Sequence, residues 1–150
     1  MQPVPLAFPV PVGALESVSG AIPSVVLALV LVNMVTRYLA HQKHVQQAAA
    51  GDDDEELSRY VPHELMNVTL LLASLAYTVV APHGGIVMST LVLGLFLTDF
   101  FEYEARRVEA RNNMEIEQPK GSLVASGLVI LYAGFQSLFF IVEPLWSSIV

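Results

Sequence analysis

The chain contains no cysteine. Disulfides, thiolate metal ligands and cysteine nucleophiles are thereby excluded. Positive charge is also scarce, with seven Lys and Arg against fourteen Asp and Glu and a net charge of −7. A surface so poor in cations argues against nucleic acid as a partner, because phosphate recognition needs a basic face. No glycine-rich phosphate loop, serine elbow or HExxH motif is present. No residue cluster specifies a reaction, so the expectation is a protein that is not an enzyme, with no catalytic residue and no cofactor. Haem or quinone chemistry would call for a histidine deep within an apolar segment. The four histidines, His41, His44, His63 and His83, all lie towards segment ends or in loops.

What the chain has in abundance is apolar surface. Hydrophobic residues make up 54% of its 150 residues and charged residues 14%, with a mean hydropathy of +0.58. A soluble domain of this size could not hide so many apolar side chains. Four apolar-dominated segments are visible, at about 22–40, 62–81, 86–101 and 122–142. Each approaches the ~20 residues that cross a ~30 Å hydrocarbon core. A soluble four-helix bundle would need a polar stripe along every helix, and LLLASLAYTVV and LVLGLFL offer none.

The few cations are placed unevenly. Arg37, Lys43 and Arg59 fall between the first and second segments, and Arg106, Arg107, Arg111 and Lys120 between the third and fourth. Lys and Arg are retained on the cytoplasmic side during insertion. The expected fold class is therefore all-α, an integral membrane bundle of four transmembrane helices with both termini outside and both charged loops inside. The expected location is the plasma membrane, as a multi-pass protein. Two Lys against five Arg, with abundant acids outside the membrane segments, fits a salt-rich cytoplasm and hence a halophile.

Two units are expected. Residues 1–20 carry four prolines within the first eleven positions, which forbids a helix there. They read as an extended, proline-rich apolar tail at the outer interface, without the positive start of a secretory signal. Residues 21–150 form the transmembrane domain. Arg37 and Tyr38 read as anchors at the inner interface. The acids Asp52 to Glu56 read as a solvated loop. Pro62 opens the second helix, and Gly84-Gly85 reads as a turn permitting positive φ. The third helix continues into water to about residue 115, and Glu143-Pro144 ends the fourth before Trp146 at interface depth. No internal repeat or heptad pattern is evident.

The densest ionisable group is Asp99-Phe-Phe-Glu102-Tyr-Glu104-Ala-Arg106-Arg107. On a helix Asp99, Glu102 and Arg106 share a face, Glu102 and Arg106 form an i,i+4 pair, and Glu104 and Arg107 an i,i+3 pair. Asp99 reads as an interfacial carboxylate reaching water, with an ion path or a partner's Arg as the sharper alternative. His41-x-x-His44 could offer two metal ligands with Glu102 as a third, but exposed histidines near a membrane are more often plain interfacial residues, and no metal site is expected. Asn33, Asn67 and Gln136 are candidates for a polar path. Ser122, Ser126, Gly127, Ala133 and Gly134 read mainly as close-packing positions within the bundle.

The PHGG turn at Pro82 to Gly85, the string DFFEYEARRVEARN from Asp99 to Asn112 and FQSLFF from Phe135 to Phe140 resemble those of small haloarchaeal four-helix integral membrane proteins of unknown function. The resemblance covers about residues 22–142. It implies no functional residue, and it implies an association with respiratory genes of the cytochrome b and Rieske type. The reading that follows is a non-catalytic accessory or assembly subunit of a larger haloarchaeal membrane complex, an electron-transfer complex of cytochrome bc type being the first candidate. Its partners would be membrane lipids and other membrane subunits, docked through Asp99, Glu102, Arg106 and Arg107. The alternative is a homo-oligomeric small ion channel or transporter with Asp99 at its inner mouth.

Overall fold

The computed structural model describes residues 12–50 and 57–149. A short helix α1 (Val12–Ser17) and a single 3-10 turn (Ser19–Ala21) lead into α2 (Ile22–Ala49), followed by α3 (Val61–Val80), α4 (Pro82–Arg111) and α5 (Lys120–Ile149). The last four helices are each long and apolar enough to cross a membrane. At 1.5 Å per residue the shortest, α3 with 20 residues, spans about 30 Å, close to a hydrocarbon core. Of the tail, residues 1–11 and the Asp52 to Glu56 loop lie outside the described residues. Val12–Ser17, expected to be extended, is helical and rests on α3, since the prolines that forbid a helix all precede it.

The helices pack in a ring, α2 on α3, α3 on α4, α4 on α5 and α5 back on α2. Each turns one face inward in steps of three or four residues. On α2 this face is Ile22, Val26, Val30, Asn33, Arg37, Ala40 and His44. On α4 it is Gly85, Met88, Val92, Leu95, Asp99, Tyr103 and Arg106. On α3 it is His63, Asn67, Leu70, Ser74 and Tyr77. A heptad-like inward stripe thus exists where no heptad pattern was expected. It is invisible to an amphipathicity argument because the outer faces are apolar too, with Leu65, Leu72, Leu131 and Phe135 exposed. Towards the α3–α4 turn the interior is mainly apolar: Val26, Val30, Leu70, Met88, Val92, Leu95, Val129 and Ala133 belong to one cluster.

Three boundaries differ from expectation. Helix α2 runs nine residues past Ala40, to Ala49. Helix α4 stops at Arg111 rather than near 115, because Asn113 takes a left-handed φ of 54°, a conformation that terminates helices. Helix α5 passes straight through Pro144 to Ile149, and from Ile141 onward its residues are exposed.

The α3–α4 connection is a single residue, Ala81 (φ −138°, ψ 75°). Gly84 and Gly85 lie inside α4, and neither adopts the positive φ that the sequence pattern implied. Gly85 is needed for proximity: a Cβ there would stand 2.1 Å from the Thr78 Cα and 2.4 Å from its nitrogen. Backbone cannot yield as a side-chain tip can. Gly85→Ala should lower stability by about 2 kcal/mol or more through overpacking. Gly94→Ala, where a Cβ meets nothing within 4 Å, should leave it unchanged or raise it by up to about 1 kcal/mol. Thermal unfolding of both variants in one detergent checks the contrast.

Candidate functional site: a buried ionic network

The inward stripes change character towards the end where the two long loops lie. Apolar residues give way to Asn33, Arg37 and His44 on α2, His63 and Asn67 on α3, Asp99 and Arg106 on α4, and Ser122 and Ser126 on α5, all buried. Each of α2, α3, α4 and α5 contributes. An ionised group in such an interior is tolerated only when its charge and its hydrogen-bonding capacity are matched.

Asp99 is the hub. It is 4% exposed, and its Oδ1 accepts from the Arg37 Nε at 3.3 Å. Its Oδ2 accepts from the Asn67 Nδ2 at 2.8 Å and from the His63 Nε2 at 3.1 Å. A carboxylate only accepts, so that His63 nitrogen carries a proton. The other, Nδ1, lies 2.8 Å from the Thr36 hydroxyl. The Asn33 amide donates to the Asn67 carbonyl oxygen at 2.6 Å, which sets the Asn67 amide toward Asp99. Arg37 completes the link to the fourth helix by donating from Nη1 to the Ser126 hydroxyl at 2.9 Å.

A second group lies beyond it. Arg106 donates from Nε to the His44 Nδ1 at 3.1 Å, and the His44 Nε2 lies 2.9 Å from the Ser58 carbonyl oxygen. That carbonyl can only accept. His44 is therefore the neutral tautomer protonated at Nε2, with Nδ1 free to accept from the guanidinium. Tyr103, its ring 5.5 Å from that of His44, donates to the Leu57 carbonyl oxygen at 2.8 Å. The Arg59 guanidinium stacks over the same ring at 4.6 Å. These contacts fasten the segment entering α3 onto α2 and α4. Glu102, half-buried, accepts through Oε1 from both the backbone amide and the hydroxyl of Ser122, and so supplies an acceptor near the start of α5, where amides lack helical partners. Two guanidiniums, Arg37 and Arg106, thus share the interior with two carboxylates, Asp99 and Glu102.

The four residues expected to dock a partner occupy different places. Asp99 and Arg106 are buried and bound within the bundle, Glu102 holds α5, and Arg107 pairs with Glu104 at 3.2 Å. The expected Glu104–Arg107 pair forms. Glu102 and Arg106 instead each have a partner on another helix, because both lie near the inward stripe where longer-range partners wait. Asp99 does not sit in bulk water, and Arg37, 2% exposed, is no interfacial anchor. His44 is buried rather than exposed, and no cluster of three or more His, Asp or Glu among the described residues has metal-site geometry. Asn33 and Asn67 join the network, whereas Gln136 lies with Tyr77 and Tyr132 towards the opposite end. Of the small residues on α5, Ser122, Ser126 and Ala133 are buried within the bundle, while Gly127 and Gly134 face open space.

A pocket of about 270 Å³ between α3 and α4 reaches Asp99 and Asn67 from the side, past Phe96 and Phe100, with Arg59 and Glu64 also lining it. The latter two form an ion pair of 3.4 Å. A second hollow, of about 230 Å³, lies on the α2–α5 side and is lined by Arg37. The Asp99–Arg37 pair is therefore flanked from two sides.

The model of a family described as a domain of unknown function (DUF7313) matches residues 3–150, and the chain belongs to that family. Comparison with curated proteins and with solved structures returns no significant match.

Removing one member of a buried ion pair strands the other. Asp99→Asn should cost about 3–5 kcal/mol, as should Arg37→Gln. The double variant, which removes both charges and keeps amides in place, should be less destabilised than the sum of the two. A double-mutant cycle on thermal unfolding in detergent measures the coupling, and strict additivity would mean that the pair is not coupled.

Proposed function

We propose that the protein is a non-catalytic accessory or assembly subunit of a larger membrane complex, seated in the plasma membrane with both termini outside and both charged loops in the cytoplasm. The carrying observation is that the buried ionic groups are bound to one another across all four helices, while the core towards the α3–α4 turn is a mainly apolar cluster. Such an interior holds a bundle together. Among the described residues the buried charged groups are confined to one half of the interior, whereas transport sites call for convergent polar groups near the midplane. The outer surface, apolar nearly all round the helices, is left for lipid and for neighbouring membrane subunits. The resemblance to haloarchaeal proteins makes a cytochrome b and Rieske type electron-transfer complex the first partner to test.

The second reading is a homo-oligomeric channel or transporter. The side pocket between α3 and α4 favours it, since it brings Asp99 within reach of a path formed between copies.

Mild extraction of the tagged protein followed by native mass measurement separates the two. Co-isolation of a large assembly with haem absorbance supports the subunit reading. A small homo-oligomer without other polypeptides, carrying an ion flux in proteoliposomes that Asp99→Asn abolishes, supports the other. Orientation has its own test, helped by the absence of native thiols. Ser147→Cys should react with a membrane-impermeant maleimide on intact cells, and Asn113→Cys only after lysis; the reverse pattern would invert the topology.

A further inference from the structure

Among the described residues, one buried cationic donor is without a partner. Arg37 spends Nε on Asp99 and Nη1 on Ser126, but Nη2 is buried with no acceptor. The ring of His41, one helical turn further along α2, likewise has a buried Nδ1 without a partner. An unmatched buried polar atom costs about 1–3 kcal/mol, and the Nδ1-protonated tautomer of His41 would let one acceptor serve both residues. Both residues line the same hollow between α2 and α5, whose walls are completed by Met34, Tyr38, Gln42, Gln118, Pro119 and Leu123. No acidic residue lines it. At about 230 Å³ it is far larger than the ~30 Å³ share of one water.

We infer that this hollow is a binding site for an anionic phosphate group, and that the group is the headgroup of an anionic phospholipid. The donors are Arg37 Nη2, His41 Nδ1 in its protonated tautomer, and the side-chain amides of Gln42 and Gln118. The remaining walls are apolar, as acyl chains require. The position along the helix agrees. Arg37 stands three residues from the end of the first apolar segment and His41 just beyond it, so the hollow opens at headgroup depth. Basic pockets between transmembrane helices at that depth hold anionic headgroups. Asp99 and Ser126 hold the guanidinium through Nε and Nη1, so the site is preorganised and little side-chain freedom is lost on binding. Glu102 acts electrostatically on Arg37 and Glu109 on His41, and Glu115 lies on the wall of the adjoining hollow with His41 and Gln118; these acids disfavour an anion that reaches beyond the donors.

The test uses the full chain, delipidated in detergent, titrated at constant ionic strength with phosphatidylglycerol, phosphatidylcholine and inorganic phosphate, and read by native mass spectrometry. Phosphatidylglycerol should bind about tenfold tighter than phosphatidylcholine, a difference of ~1.4 kcal/mol, with inorganic phosphate much weaker. Arg37→Gln is a poor probe because it also breaks the Asp99 pair. The double variant His41→Ala with Gln118→Leu leaves that pair intact. It should unfold at the parent temperature without lipid and bind phosphatidylglycerol about tenfold more weakly, as expected for two lost hydrogen bonds. Inorganic phosphate binding as tightly as phosphatidylglycerol, with the same loss in the variant, would keep the anion site and overturn its lipid assignment. Equal binding of the two lipids, or unchanged affinity in the variant, would overturn the proposal.

Discussion

The structure depends on satisfying one carboxylate. Asp99 is enclosed by four helices, and an isolated charge there would cost far more than a small bundle could supply. Three donors from two other helices meet it, and one of them, Arg37, reaches on to the fourth. That requirement fixes the rotation of every helix about its axis: turning any one by a single residue step would withdraw its polar group from the interior. Inside a membrane, where apolar surfaces prefer helix and lipid about equally, such hydrogen bonds and close packing take over the role that hydrophobic burial has in water.

The two ends of the bundle are built on opposite principles. Around Asp99 the helices are joined by long polar side chains that cross the bundle from α2 to α4. Towards the α3–α4 turn they are joined by proximity, with α3 and α4 so close at Gly85 that no Cβ fits, and by an apolar cluster built on valines, Leu70, Met88 and Leu95. The first end supplies orientation and the second supplies contact. The hollows at the charged end, on Asp99 and on Arg37, approach the ion pair from the sides.

Much of the fold was legible beforehand because it follows from local composition. Segment length and hydropathy placed four helices, and Pro62 opened α3 as expected. The Asp99, Glu102 and Arg106 spacing put the three near a common face. What local reasoning missed came from partners distant in sequence. Arg37 looked like a snorkelling anchor because its nearest apolar boundary was three residues away, yet its partner was Asp99, sixty-two residues on. Glu102 looked paired with Arg106 because i,i+4 proximity ignores Ser122 on another helix. A signal for the network was present: Asn33, Arg37 and His44 recur at helical spacing, as do His63, Asn67 and Ser74, and polar residues on an otherwise apolar helix mark its inward face. Gly85 carried no such signal, since its role lies in the distance to Thr78.

The sequence by itself determined that this chain makes four apolar helices long enough to cross a membrane, because helix length and hydropathy are properties of contiguous residues. It also determined what chemistry is absent for want of cysteine. Only the tertiary structure decided which scattered charges are partners, since the pairing of Arg37 with Asp99 and of Arg106 with His44 depends on helix rotation and neighbour order. It likewise left Arg37 Nη2 and His41 Nδ1 without partners on one hollow, and so decided where a ligand could be held.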